Sequence, residues 1–100
     1  MLNLNPTIWN LEKDFTDMKN ILIYTANRCG YCVMAKRLLD NKKAIYTEIN
    51  IDEREGQREE MMQKTKRRTV PQIYIGDFHV GGFDDLNALN KTGKLDELLN

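Results

Sequence analysis

An unbroken apolar run, Ile21-Leu22-Ile23-Tyr24, is followed by Cys29-Gly30-Tyr31-Cys32 and then by Val33, Met34, Ala35, Leu38 and Leu39 at helical spacing. The run reads as a buried strand and the spaced residues as one face of a helix. A strand that feeds a helix and returns to the same sheet does so by a right-handed crossover, which makes the next strand parallel to the first. That next strand is the alternating set Ile45, Thr47, Ile49 and Ile51. The first strand is expected over residues 19–25 and the first long helix from residue 31 to about 41, ending at Lys42-Lys43. A polar helix follows from residue 54 to about 65, with Met61 and Met62 as its apolar contacts and Gly56 weakening its first turn. Short strands at 72–75 and 78–80 flank Gly76-Asp77, a hairpin signal. Short helices at 83–90 and 94–99 are separated by Gly93. The predicted fold is α/β, a four-stranded mixed sheet with an antiparallel hairpin at its edge and helices on both faces.

A chain of 100 residues suits one hydrophobic core. Residues 18–100 form the expected domain. Residues 1–17 stand apart, rich in Asn and holding Pro6 and Trp9. There Ile8, Leu11 and Phe15, with Met18, recur at helical spacing. Two readings of this stretch stand side by side: a short amphipathic helix docked on the body, or sequence lying upstream of a true start at Met18. Lys plus Arg equals Asp plus Glu at fifteen each, which gives no bulk charge for nucleic acid or a membrane surface. No apolar stretch approaches a membrane span, and no basic start precedes an apolar run as in a secretory signal. The expected location is the cytoplasm. In that reducing compartment a C-x-x-C pair is more often catalytic or metal-binding than a permanent staple.

Cys29 falls just before the helix, where unpaired N–H groups and the positive end of the macrodipole favour a thiolate and lower the thiol pKa. Arg28 adds a neighbouring positive charge. Cys32, nearly one turn further in, is more buried and less activated. Cys29 is therefore the expected attacking thiol and Cys32 the resolving one, with Tyr31 covering the pair. The competing reading is half of a zinc site, but structural zinc takes four N/S ligands and the chain offers only His79 besides. His79 reads as structural.

Thr69-Val70-Pro71 precedes the third strand. Spacing alone does not predict a cis bond there, since few X-Pro bonds are cis. A cis bond would turn the Val70 N–H and C=O outward, where they can pair with an extended peptide-like substrate. Gly81-Gly82-Phe83-Asp84-Asp85 allows a tight turn into a helix capped by Asp84 or Asp85. Its free N–H groups suit a carboxylate and an Asp suits an ammonium, together an amino-acid head group. An ordinary capped helix explains the same residues. Lys64, Lys66, Arg67 and Arg68 form a basic run that is either simply solvated or holds an anionic substrate.

Cys-Gly-Tyr-Cys after a strand ending in Tyr-Thr, Thr-Val-Pro-Gln-Ile-Tyr-Ile-Gly, and Gly-Gly-Phe-Asp-Asp-Leu together resemble the glutaredoxins, most closely the small bacterial dithiol members. The resemblance covers about residues 19–99. It implies a thioredoxin-like fold and a monomeric enzyme that reduces protein disulfides and glutathione mixed disulfides with glutathione as reductant. It implies that Cys29 becomes glutathionylated, that Cys32 resolves, and that Pro71 is cis. It places Arg28, Tyr31, Arg67, Thr69, Val70, Pro71, Gly82, Asp84 and Asp85 at the glutathione site. Val70 pairs with the cysteinyl backbone, and Asp84 or Asp85 binds the γ-glutamyl end. Ribonucleotide reductase and other disulfide or glutathionylated cytosolic proteins are the partners it suggests, at a poise of about −200 to −230 mV.

Three departures bear on that expectation. Gly30 stands where the family usually has Pro. Some members lacking that proline assemble a [2Fe–2S] cluster between two subunits, on the cysteine matching Cys29 and glutathione; a cluster carrier or redox sensor is the alternative function. A thiol oxidoreductase driven by a flavoprotein reductase is a third. Ala26 stands where a Lys commonly binds a glutathione carboxylate, so Arg28 or the 64–68 run must substitute. Phe83 replaces a third cysteine common in close relatives.

Overall fold

The computed structural model describes residues 20–100. The expectations for residues 1–17 lie outside the described residues, and of the first strand expected from residue 19, Asn20 stands before the strand, which begins at Ile21. The elements are β1 (Ile21–Thr25), α1 (Gly30–Asn41), β2 (Tyr46–Asn50), α2 (Gln57–Thr65), β3 (Gln72–Ile75), β4 (Phe78–Gly81), α3 (Phe83–Lys91) and α4 (Lys94–Leu99). The sheet order is β2-β1-β3-β4. β1 and β2 are parallel, as the crossover requires, while β1–β3 and β3–β4 are antiparallel. The mixed four-stranded sheet is the one expected.

Alternation along the strands divides the core into two. Ile21 and Ile23 of β1 and Ile73 and Ile75 of β3 pack with Ala35 and Leu39 of α1, Leu86 of α3 and Leu95 of α4. On the opposite face Tyr24 and Tyr74 pack with Met61 of α2 and with Ile51, just after β2. Helices thus cover both faces, and every residue of β3 is buried, as a central strand covered on both sides must be. Truncating a fully buried leucine such as Leu39 or Leu86 would cost about 2–5 kcal/mol.

Among the boundaries that differ from the sequence reading, three have a clear local reason. α2 starts at Gln57, three residues late, because Gly56 adopts φ 86° in the left-handed region and cannot belong to the helix. Ile45 precedes β2 and is 79% exposed, so only Ile49 and Ile51 of the alternating set join the core. β4 extends through Gly81 with a bulge: Ile73 lies opposite Gly81 but Tyr74 opposite His79. The extra residue, Val80, turns into the α1–α3–α4 side of the core. The bulge carries Gly81 and Gly82 across the start of β3, beside Pro71.

Candidate active site

Cys29 is the N-cap of α1, in extended conformation at φ −114° and ψ 103°. The Cys32 N–H donates to its Sγ at 3.1 Å. The loop from β1 is held in place by groups from the end of β2 and from the β2–α2 connection. The Asn27 N–H donates to the Asp52 carboxylate at 2.8 Å, and the Asn50 side-chain amide donates to Asn27 Oδ1 at 3.0 Å. Arg28 then takes a left-handed turn at φ 57°. Cys29 and Cys32 are joined as a disulfide, with Cα atoms 5.2 Å apart. Cys32 is only 2% exposed whereas Cys29 is half-buried. One sulfur is therefore open to attack or to attack upon, and the other is sheltered behind it.

At the end of β1 the buried Thr25 hydroxyl donates to Glu48 Oε2 at 2.7 Å, and Lys36 of α1 donates to the same oxygen at 3.0 Å. These bonds outweigh partial burial and hold the Glu48 carboxyl below its ordinary pKa, the Thr25 bond contributing most. They tie β1, β2 and α1 together at the base of the cysteine loop.

The Val70–Pro71 bond is cis, as the family resemblance implied. Val70 O lies 3.8 Å from Cys29 Sγ. Beside them opens a cleft of about 260 Å³ whose lining includes Thr69, Val70 and Pro71. Tyr31 and Phe83 form an apolar wall, their rings stacked at 6.2 Å between centroids. Gly82, Asp84, Asp85 and Arg67 complete the lining. The structure thus gathers Tyr31, Arg67, Thr69, Val70, Pro71, Gly82, Asp84 and Asp85 around one cleft next to Cys29. Arg28 is exposed and is not among the lining residues. Phe83 is a lining residue that sequence reading treated only as a lost cysteine. Its signal was an aromatic directly after the paired glycines, at the mouth of the same turn.

The start of α3 settles which Asp caps. Gly82 is the N-cap, and Asp85, the third helical residue, accepts the Gly82 N–H at 3.0 Å. The same Asp85 oxygen accepts from Arg67 Nη1 at 3.3 Å. Gly81 sits beneath this pair at φ 112°, and a Cβ there would overlap the Asp85 carboxylate. Asp84 lines the cleft and, among the described residues, its side chain forms no hydrogen bond or ion pair.

The basic run splits. Lys64 lies over the Tyr74 ring, 4.4 Å from its centroid, on the α2 side of the sheet. Lys66 ends α2 in a left-handed turn at φ 63°. The Arg67 N–H donates to the buried Thr65 hydroxyl at 3.0 Å. That turn delivers Arg67 to the cleft, where it is the one cation among the described lining residues. Ala26 packs against the Tyr24–Tyr74 cluster.

His79 is engaged with Gln72, its Nε2 lying 2.8 Å from Gln72 Oε1, and is stacked on Tyr74 at 4.8 Å. Burial, reinforced by Arg67 and opposed by Asp85, pushes its pKa below the ordinary histidine value. Among the described residues no three His, Cys, Asp or Glu side chains cluster as metal ligands. Among the same residues, no helix is long and apolar enough to cross a membrane.

The family model described as Glutaredoxin matches residues 21–80. Glutaredoxin 3 of Escherichia coli K12 is 49% identical over 82 residues, spanning 82% of this chain and 99% of that protein. The solution structure of a glutaredoxin from Brucella melitensis is 48% identical, covers 83% of this chain and 90% of that one, and superposes with a TM-score of 0.73. A crystal structure of a buckwheat glutaredoxin–glutathione complex is 27% identical, covers 99% of this chain and 93% of that one, and has a TM-score of 0.75.

Proposed function

Because the chain belongs to the glutaredoxin family, and is thus a glutathione-dependent thiol–disulfide oxidoreductase, we propose that Cys29 is its nucleophile, Cys32 its resolving thiol and the adjoining cleft its glutathione groove. The observation that carries this reading is the position of Cys29 Sγ: half-buried, at a helix N-cap, and 3.8 Å from the carbonyl of Val70 at the edge of the cleft.

In the reduced enzyme the Cys29 thiolate attacks one sulfur of the substrate disulfide, and the other sulfur leaves as a thiolate that takes a proton. The Cys32 N–H, 3.1 Å from Cys29 Sγ, favours the charged nucleophile, as does the positive end of α1. With a protein disulfide the product is a mixed disulfide on Cys29. Cys32 then attacks Cys29 Sγ, releases the protein thiol and forms the Cys29–Cys32 bond. With a glutathionylated protein, Cys29 takes the glutathione and frees the protein thiol, and a second glutathione thiolate displaces it as glutathione disulfide. Two glutathiones likewise return the Cys29–Cys32 disulfide to the dithiol.

In the groove, Asp84 takes the ammonium of the γ-glutamyl end and Arg67 takes a carboxylate, replacing the cation missing at Ala26. The Val70 backbone pairs with the cysteinyl unit. Tyr31 and Phe83 form the apolar wall, with Thr69, Pro71 and Gly82 completing the lining. Substrates are disulfide or glutathionylated proteins of the cytoplasm, ribonucleotide reductase being the family's example, and the enzyme acts as a monomer. A [2Fe–2S] cluster would need Cys29 from two subunits with glutathione sulfur, because once the disulfide is reduced Cys32 stays buried and Cys29 is the accessible thiol of each chain.

The test is a glutathione/glutathione-reductase coupled assay on a small mixed disulfide, with the wild type and Cys29→Ser. Turnover that requires both glutathione and Cys29 is expected. Full activity of Cys29→Ser would refute the assignment. No wild-type turnover would favour the cluster reading, which anaerobic purification would reveal as visible absorption and a dimer.

A further inference from the structure

Gln72 is the first residue of β3, directly after the cis bond, and is 0% exposed. A buried primary amide is costly unless its donors and acceptor are met. Here they are all met by two residues. Gln72 Nε2 donates to Thr69 O at 3.0 Å and lies 3.2 Å from Thr69 Oγ1. Gln72 Oε1 lies 2.8 Å from His79 Nε2.

The orientation follows from chemistry. A backbone carbonyl only accepts, so the group facing Thr69 O must be the NH₂ and the group facing His79 must be the amide oxygen. His79 Nε2 must therefore carry a hydrogen and donate it. An imidazolium keeps the same N–H, so this bond does not depend on His79 ionisation, whether Arg67 or Asp85 biases it. Stacking on Tyr74 fixes the ring plane.

We propose that His79 and Gln72 are positioning residues for the substrate-facing Thr69–Val70 segment. Rotation of the Gln72 amide would set its oxygen against Thr69 O; the His79 N–H holds it in the one orientation that fastens Thr69 from beneath. Thr69 itself is exposed, and Val70 is the residue whose backbone lies beside Cys29. The relay thus runs from the β4 bulge, through a buried amide, to the edge that meets the substrate backbone. This inference rests on the glutathione-groove reading for its kinetic consequence, but not for its structural one.

His79→Phe keeps a ring over Tyr74 and removes the donor; His79→Gln restores a donor. In the coupled assay His79→Phe is expected to raise KM for the mixed disulfide about three- to tenfold, the usual effect of losing one hydrogen bond, with kcat within about twofold. His79→Gln is expected to return KM to within about twofold of wild type. Backbone amide resonances of Thr69 and Val70, followed by NMR without glutathione, are expected to shift or broaden in His79→Phe and to recover in His79→Gln. Unchanged Thr69 and Val70 resonances in a folded His79→Phe protein would overturn the proposal, as would a loss of kcat and thermal stability with no change in KM. If the wild type shows no turnover with glutathione, the groove reading falls, while the resonances still decide whether the relay holds the segment.

Discussion

Replacing Arg67 by Gln removes the one cation among the described lining residues while keeping most of the side chain's length and hydrogen-bonding capacity. Two unit charges about 4 Å apart interact by about 1 kcal/mol in water and about 4 kcal/mol at an effective dielectric of 20. The Arg67 side chain is 49% exposed, which places its contact with a substrate carboxylate near the aqueous limit, at about 1–2 kcal/mol. Its pair with Asp85 at 3.3 Å is equally exposed and contributes about 0–1 kcal/mol, so exchanging it on binding offsets little. The expected result is a five- to thirtyfold rise in KM for glutathione, with kcat unchanged because the contact is the same in ground and transition states. The coupled assay at low and high salt gives a second readout. Wild-type KM should rise with ionic strength as the Debye length shrinks from about 8 Å at 0.15 M to about 3 Å at 1 M, and the variant's should rise less. An unchanged KM, or equal salt dependence in both proteins, would refute the placement of the carboxylate at Arg67.

Cys32→Ser is expected to retain turnover of glutathione mixed disulfides and to lose reduction of protein disulfides, compared by running both substrate types on one preparation. Asp84→Ala should raise KM for glutathione with the fold intact, because Asp85 and not Asp84 caps α3; an unchanged KM would move the head-group contact elsewhere. Thr25→Val should lose about 1.5–2 kcal/mol at pH 7, the lower part of the range for a bond to a charged group because Glu48 is a third exposed. Since the folded Glu48 pKa is depressed, that stabilisation is present above the ordinary carboxyl value of 4.5 and is lost as pH falls through the folded value, so urea curves of variant and wild type should converge in acid.

The element order was legible because its signals are local. An unbroken apolar run, a period of two and a period near 3.6 each name an element without reference to the rest of the chain. The paired thiols were legible for the same reason, since strand-to-helix placement puts Cys29 at an N-cap whatever surrounds it. What stayed hidden depends on register or on contacts between distant segments. The β4 bulge is decided by how Val80 fills the core, which no hairpin signal states. The split of the basic run follows from a left-handed Lys66, a residue with no glycine to announce it. His79 carries no partner within its own strand, and its partner Gln72 acquires meaning only once Thr69 is folded back over it.

The pair Asp84-Asp85 shows how a one-residue ambiguity in structure becomes an ambiguity in function. Capping chemistry permits either carboxylate, depending on where the helix begins. With Gly82 as N-cap, the third helical position falls on Asp85, whose carboxylate turns back to the Gly82 N–H and meets Arg67. Asp84 then lines the cleft and, among the described residues, its carboxylate meets no hydrogen-bond or ion-pair partner. Had the helix begun one residue earlier, the third position would have fallen on Asp84 and the roles would have been exchanged. The choice is enforced by Gly81: at φ 112° and without a Cβ it leaves room for the Asp85 carboxylate and Arg67 directly above it. A side chain at residue 81 would be strained at φ 112° and would displace the Asp85 carboxylate from the Gly82 N–H, so the positive-φ glycine ahead of α3 leaves Asp85 as the cap and Asp84 lining the cleft.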